Sequence, residues 1–515
     1  MQGVVSWPHS LAPGAAAPED RGAGKLLKTI PPADSSYRSW ECRSRPGRVL
    51  RLLSGPVEGL TFIGQRPPAG QRTADDSAEW AVVALRTQRR LKDNMLREPR
   101  VPLFEMTACL TKAVDLVSRA LVDHQNRVAY IASSLGAEIG LPLCERNDLL
   151  LAGILHDTGG LSLEERLEAI VFDHDSRTLS RHCNQGYLLF GRFEPFREAA
   201  NLIRYHHTRW DEQHDLAERG VVVPFGSHVL HLADRVAVLL TDQEEALGRA
   251  RDIVERIQLN KGGMFCPDLV EAFSSLAGKE YFWLEATSRS ISAILSQRVP
   301  ATQVELDLDG VLNLAKLFAE IVDFRSPFTA THSMGVAAVA AEIARRFGFS
   351  DRECRLMEAA GYLHDLGKLA VPASVLDKPG QLTEKERNII RVHSFYTFQV
   401  LKPMEQLATL AEWAAFHHER MDGTGYPFHL SGVELPLGAR IMAVADVFTA
   451  LAEDRPYREG LSGEDALKIV RRLAEDGGLD PGVVDMLGLS YEYLDAIRAN
   501  VQGTASREYR EFGGE

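Results

Sequence analysis

Ten of the sixteen histidines in this 515-residue chain fall into two sets, each joined by two aspartates in the same order. The first set is His124, His156, Asp157, His182, His206, His207 and Asp234. The second is His332, His364, Asp365, His393, His417, His418 and Asp446. His124 to His332 and His156 to His364 are both 208 residues apart; the later pairs are 211 apart at His182 and His393 and at His206 and His417, and 212 at Asp234 and Asp446. Neutral imidazole suits Fe, Mn, Zn, Co and Ni, and carboxylates add hard oxygens able to bridge two cations. Such a donor set suits a two-metal centre, in which cations about 4 Å apart clamp both the attacking and the leaving oxygen of an in-line phosphoryl displacement. A single histidine at the end of an apolar helix is more often a hydrogen-bonded core residue than a ligand. Seven ligand-type residues recurring twice in order are another matter, because packing does not select histidine. His9, His174, His214, His228, His231 and His429 fall outside the sets and read as structural, with His228 and His231 the exceptions to watch because they share a helix with Asp234.

These residues need elements that aim them at one point. His364 and Asp365 close one apolar helical run, His417 and His418 close another, and Asp446 sits inside a third. Inward-pointing ligands from several helices are how a bundle builds a metal site. From Leu103 onward apolar residues recur at spacings of three and four, and strand-like alternation is nearly absent, so the fold class is all-α. The repeat extends beyond the ligands, with CPDLVEAF at Cys266 matching DPGVVDML at Asp480. The organisation expected is two tandem helical-bundle domains, 103–300 and 304–500. A flexible, disordered leader precedes them over 1–75, rich in Gly, Pro, Ala and Ser, and a C-terminal tail over 501–515 follows.

Apolar residues at 45% and charged residues at 25% give the balance of a globular protein. A formal charge of −13 opposes binding to long nucleic acid, while leaving room for a small phosphate ligand at one local cationic site. The six cysteines include no close pair, so neither a disulfide framework nor a CxxC zinc site is expected. No stretch reaches the roughly 18 apolar residues of a membrane span, and the expected location is cytoplasmic.

Three segments carry a resemblance: HDLGK from His364 to Lys368, HHERMDGTGYP from His417 to Pro427, and ARIMAVADVF with DRPYR from Ala439 to Arg458. Together they resemble the HD-GYP domain, the branch of the HD phosphohydrolase superfamily that linearises cyclic di-GMP, over most of 304–500. The resemblance implies a metal-dependent phosphodiesterase with His332, His364, Asp365, His393, His417, His418 and Asp446 as ligands. It makes Asp365 bridging and Lys368 a contact to substrate phosphate. It also implies that Asp422, Gly423, Gly425, Tyr426 and Pro427 shape the substrate mouth or dock a diguanylate cyclase. Phe328 stands where some members place a glutamate for a third metal, so two divalent ions are expected, with Fe or Mn favoured. Thr449 replaces an aspartate common in the family and leaves the ligand set intact.

The first repeat resembles a plain HD domain through HDTGG at His156, HHTRWD at His206 and HLADRV at His231. All seven ligand positions are filled there, but Gly160 replaces Lys368 and no GYP follows. It reads either as a second metal site or as a packing and regulatory module. The substrate implied is a bacterial cyclic dinucleotide, foremost cyclic di-GMP hydrolysed to linear pGpG or GMP. The alternatives are 3',3'-cyclic GMP-AMP, which some tandem HD chains resemble enzymes for, and a nucleotide-sensing protein without turnover. Oligomeric state is not legible.

Overall fold

In the computed structural model the described residues are 40–41, 51–52, 99–116, 122–160, 172, 176–240, 246–298, 304–325, 331–378, 380–453 and 460–513. Most of the expected leader lies outside them. Within it, β1 (Trp40–Glu41) pairs antiparallel with β2 (Arg51–Leu52). Phe328 and the DRPYR segment also lie outside the described residues.

From residue 99 on, the described chain is helical apart from β3 (Val101–Pro102) and β4 (Glu305–Leu306), which pair antiparallel and tie together the starts of the two repeats. The first repeat runs α1 (Leu103–Asp115), α2 (His124–Glu138), α3 (Leu143–Leu155), α4 (Ser176–Phe190), α5 (Arg197–Arg204), α6 (Gln213–Glu218), α7 (Phe225–Leu239), α8 (Ala246–Leu259), α9 (Pro267–Ala277), α10 (Glu280–Ala286) and α11 (Ile291–Arg298). The second runs α12 (Leu308–Asp323), α13 (His332–Arg346), α14 (Asp351–Leu363), a 3-10 turn Leu366–Ala370, α15 (Ala373–Leu376), α16 (Glu384–Leu401), α17 (Ala408–Ala415), α18 (Leu437–Ala452), α19 (Gly463–Glu475), α20 (Pro481–Leu489) and α21 (Tyr491–Gly513). Helices α2 and α13 are both 15 residues long, and α3 and α14 both 13, so the repeat read from ligand spacing is also a repeat of elements.

Local sequence fixes the helix starts of the second repeat. Ser350 with Glu353 and Thr383 with Glu386 form capping boxes that open α14 and α16, and the Asp307 carboxylate accepts from Gly310 N to open α12. Buried Asp323 accepts from both Ser333 N (3.1 Å) and Ser333 Oγ (2.9 Å), tethering the first turn of the helix that carries His332.

Glycines set how closely the helices cross. A Cβ on Gly361 would lie 2.4 Å from Ala337 Cα, and one on Gly153 would lie 2.5 Å from Ala129 Cα. The same crossing of α13 with α14, and of α2 with α3, is therefore built twice on a glycine. Gly361→Ala is expected to push α13 from α14 and cost about 3 kcal/mol. Gly503→Ala, at a helical position with open space around it, is expected to gain about 0.5 kcal/mol. Thermal unfolding of the two variants checks both signs.

The described residues of both repeats lie in one compact unit with a continuous apolar core. Helix α1 packs on α16 and on the 3-10 turn of the second repeat, where Cys109 Sγ donates to Val400 O at 3.2 Å. The segment expected as a tail from 501 is instead the continuation of α21, which packs against α13. Gln502 and Ala505 are buried, and Gln502 Nε2 donates to Thr331 O and Glu453 Oε2. The helix sets Leu494, Val501, Ala505 and Tyr509 on the core, an apolar spacing that runs past residue 501.

Candidate metal centres

Each repeat brings its seven residues into one buried cluster. In the second, His332 comes from the start of α13, His364 and Asp365 from the end of α14, His393 from α16, His417 and His418 from the end of α17, and Asp446 from α18. His364 Nε2 lies 3.1 Å from Asp365 Oδ2, and His393 Nε2 lies 3.4 Å from Asp365 Oδ1. His393 Nε2 is 3.2 Å from His417 Nε2, and His332 Nε2 is 3.1 Å from Asp446 Oδ1.

The orientation of these rings follows from helix geometry. Nδ1 of His364, His393 and His417 donates to the carbonyl three residues back, at Gly361 (2.7 Å), Ile390 (2.6 Å) and Ala414 (2.6 Å) respectively. That bond fixes the tautomer and aims Nε2 at the centre, as metal-binding histidines require. Burial pushes His393 down to about 3, so it stays a neutral donor at physiological pH. Burial also opposes charge on His332, but the carboxylates of Glu453 and Asp446 outweigh it and raise this ring to about 10. Against the burial that opposes its charge, His364 and Lys368 hold the Asp365 carboxyl well below the usual range.

The donor set fits a divalent cation. His364 Nε2 is wholly buried and makes no hydrogen bond, a cost of about 1–3 kcal/mol that a cation would remove. Two residues of this set keep one side open: the His418 side chain is 30% exposed and that of Lys368 is 20% exposed. Lys368 Nζ donates to Asp365 Oδ2 at 2.5 Å.

The GYP segment lies beside that opening. The Asp422 carboxylate accepts from Thr424 N and Oγ1, and Gly423 has φ +75, which makes the turn. A Cβ on Gly425 would meet Arg420 N at 2.4 Å. Buried Glu419 anchors the far side by accepting from Phe428 N (2.6 Å) and Leu430 N (3.0 Å). The Tyr426 ring lies against that of His418 with centroids 4.9 Å apart. Arg391, Val392, Phe395, Tyr396, Tyr426 and Pro427 line a largely apolar concavity of about 270 Å³.

The first repeat repeats the cluster with all of its described donor side chains buried. His124 Nε2 lies 3.2 Å from Asp234 Oδ1, His156 Nε2 lies 3.2 Å from Asp157 Oδ2, and His182 Nε2 lies 3.5 Å from Asp157 Oδ1. All seven side chains are buried, including His207 at the position of part-exposed His418, and Gly160 is buried where Lys368 stands. Burial pushes His182 down to about 3. His228 and His231 are buried behind this cluster, His228 against the Trp210 ring and His231 with Nδ1 3.2 Å from Thr208 O.

Three contacts escape the repeat comparison because they are not repeated. Glu453 Oε2 lies 3.1 Å from His332 Nδ1; it sits two helical turns after Asp446 on the same face, a spacing that could have found it. Arg235 donates to Asp234 Oδ2 from Nη2 (2.5 Å) and Nε (3.1 Å), where the second repeat has Val447 beside Asp446. Cys183 stands next to His182 where Ser394 follows His393.

Two family models described as HD domain match the chain, at residues 121–239 and 316–483. The chain is 31% identical over 399 residues to 3'3'-cGAMP-specific phosphodiesterase 1 of Vibrio cholerae, covering 76% of this chain and 92% of that one. It is 30% identical to 3'3'-cGAMP-specific phosphodiesterase 3 of the same organism, covering 72% and 90%. A cyclic di-GMP phosphodiesterase response regulator of Xanthomonas campestris is 40% identical over 41% of this chain and 56% of its own length. Among solved structures, a cyclic GMP-AMP specific phosphodiesterase of Vibrio cholerae superposes with a TM-score of 0.54 at 27% identity, covering 76% of this chain and 98% of that one. No described helix is long and apolar enough to cross a membrane.

Proposed function

We propose a substrate for this chain on the premise that it belongs to the HD-domain phosphodiesterases, metal-dependent enzymes with two HD domains here in tandem. The substrate is 3',3'-cyclic GMP-AMP, and the second repeat hydrolyses one of its phosphodiester bonds. The observation that carries the assignment to the second repeat is the open side of its cluster, where part-exposed Lys368 and His418 adjoin the Tyr426 concavity. In the described part of the first repeat, Gly160 stands where Lys368 does and all seven cluster side chains are buried.

The ligands are His332, His364, Asp365, His393, His417, His418 and Asp446, holding two divalent ions of the Fe or Mn class. Bound there, such ions supply an activated water and neutralise charge on the phosphate. The chain's own residues do the rest. The i−3 carbonyls lock three imidazoles, the Asp365 carboxylate lies between the rings of His364 and His393, and Lys368 turns a flexible ammonium toward the phosphate. Arg391, Phe395 and Tyr426 offer a cation and two aromatic faces, a surface that suits a stacked purine.

Substrate choice rests on coverage. The relatives named for cyclic GMP-AMP that match over some three-quarters of this chain share both repeats with it, at 92% and 90% of their own length. Cyclic di-GMP, the first expectation from sequence, remains the second reading. It is favoured by the higher local identity, 40% and 41%, to relatives named for that nucleotide over 41% and 30% of the chain. Equal concentrations of both dinucleotides, incubated anaerobically with protein and Mn(II) or Fe(II), are expected to show cyclic GMP-AMP consumed at least ~10-fold faster, a selectivity of about 1.4 kcal/mol. Faster loss of cyclic di-GMP would transfer the assignment.

A further inference from the structure

We propose that the first repeat holds a single zinc-class ion with the Cys183 thiolate as a ligand, alongside His182, His206 and His207. The repeat places Cys183 and Ser394 at equivalent positions, each directly after a cluster histidine, so the same backbone site carries a sulfur donor in one copy and a hydroxyl in the other. Ser394 Oγ lies 3.2 Å from His393 Nε2, and Cys183 Sγ lies 3.7 Å from His182 Nε2.

The four donors have the dimensions of a tetrahedral site. All are buried, and their ligand atoms lie within 4.8 Å of one another. His182 Nε2 to His206 Nε2 is 3.4 Å. Zinc bonds of about 2.0–2.1 Å to nitrogen and 2.3 Å to sulfur give tetrahedral edges of about 3.3 Å between nitrogens and about 3.6 Å between nitrogen and sulfur. Two of the six edges are 3.4 and 3.7 Å, and the other four lie within 4.8 Å. The His206 ring is locked for this role, with Nδ1 donating to Ile203 O at 2.6 Å.

The two centres then differ in kind. Thiolate with imidazole selects softer ions of the zinc and cobalt type over Mn or Mg. Asp234, the carboxylate that would draw a second hard cation, is already met by the Arg235 guanidinium, which does not lose its proton. With Gly160 in place of the phosphate-facing lysine and no exposed ligand, this ion holds the first bundle together and meets no substrate.

The test is optical and independent of turnover. Full-length apoprotein is titrated anaerobically with Co(II), and a thiolate-to-cobalt charge-transfer band in the near ultraviolet is followed. The band is expected in the wild type, unchanged in Asp365→Ala, and lost to background in Cys183→Ser, whose replacement is the residue the second repeat tolerates at this site. Zinc X-ray absorption on the wild type, which needs no variant to fold, is expected to require one sulfur scatterer at about 2.3 Å. A Co(II)-loaded wild type without the band, a band that survives in folded Cys183→Ser, or a zinc shell of nitrogen and oxygen alone overturns the proposal.

Discussion

Asp365→Ala is expected to lower phosphodiesterase turnover at least ~10³-fold while leaving the fold intact, a loss of about 4 kcal/mol of transition-state stabilisation. The size follows from position. The carboxylate meets His364 Nε2 and Lys368 Nζ through Oδ2 and His393 Nε2 through Oδ1, so three of the groups assigned to the site are arranged around it. Its loss removes one of two carboxylates in the donor set and leaves Lys368 without its partner. That stranded charge has an escape, because the Lys368 side chain is one-fifth exposed, and the unfolding midpoint should move by no more than a few degrees. Hydrolysis, bound metal by elemental analysis and the midpoint are measured on one preparation. Asp157→Ala is the matched control: it removes the equivalent carboxylate from the closed first centre and should alter turnover less than ~5-fold if the second repeat is the catalyst. Loss of activity in Asp157→Ala with retention in Asp365→Ala would assign the chemistry to the first repeat.

Why so much of both centres is legible in the chain, and some is not, comes down to what a repeat preserves. His364 and His156 each sit at the end of an apolar helix with a glycine three residues earlier, and Nδ1 reaches that glycine's carbonyl in both copies. Such positions hold their spacing because backbone, ring and centre are tied together. Residues that distinguish the copies leave no such trace. Arg235 answers Val447, Cys183 answers Ser394, and Glu453 has Thr241 opposite it; comparing copies for identity passes over all three. The C-terminal helix carries an apolar spacing through Leu494, Val501, Ala505 and Tyr509, but its contact with α13 also runs through buried Gln502, held by Thr331 O and Glu453 Oε2, and through Arg346 over the Tyr493 ring, pairings that no hydrophobic period announces. The packing of α1 across the repeat boundary follows from tertiary contact alone, since an amphipathic helix does not say which of two neighbouring bundles will cover it.

Lys368→Met is expected to lower kcat by ~10²–10³-fold, the range seen when one donor to a developing anion is removed, with metal content unchanged. Two roles for this lysine predict different results. If it only held Asp365 in place through the 2.5 Å contact, its removal would loosen the carboxylate and metal would be lost together with activity. If it serves the phosphate, metal stays and the defect appears in kcat with the same substrate. Burial opposes charge on this lysine, but the Asp365 carboxylate outweighs it and raises the ammonium above its usual value, so it is charged at neutral pH. Lys368→Arg keeps the charge but replaces a flexible point donor by a planar fork, and should recover only part of the rate. The converse substitution, Gly160→Lys, should create no activity in the first repeat. Gly160 is buried beside a cluster with no exposed ligand, and a lysine there would have no phosphate to meet. Activity gained by Gly160→Lys would show that the first centre admits substrate, and that the missing cation alone keeps it silent.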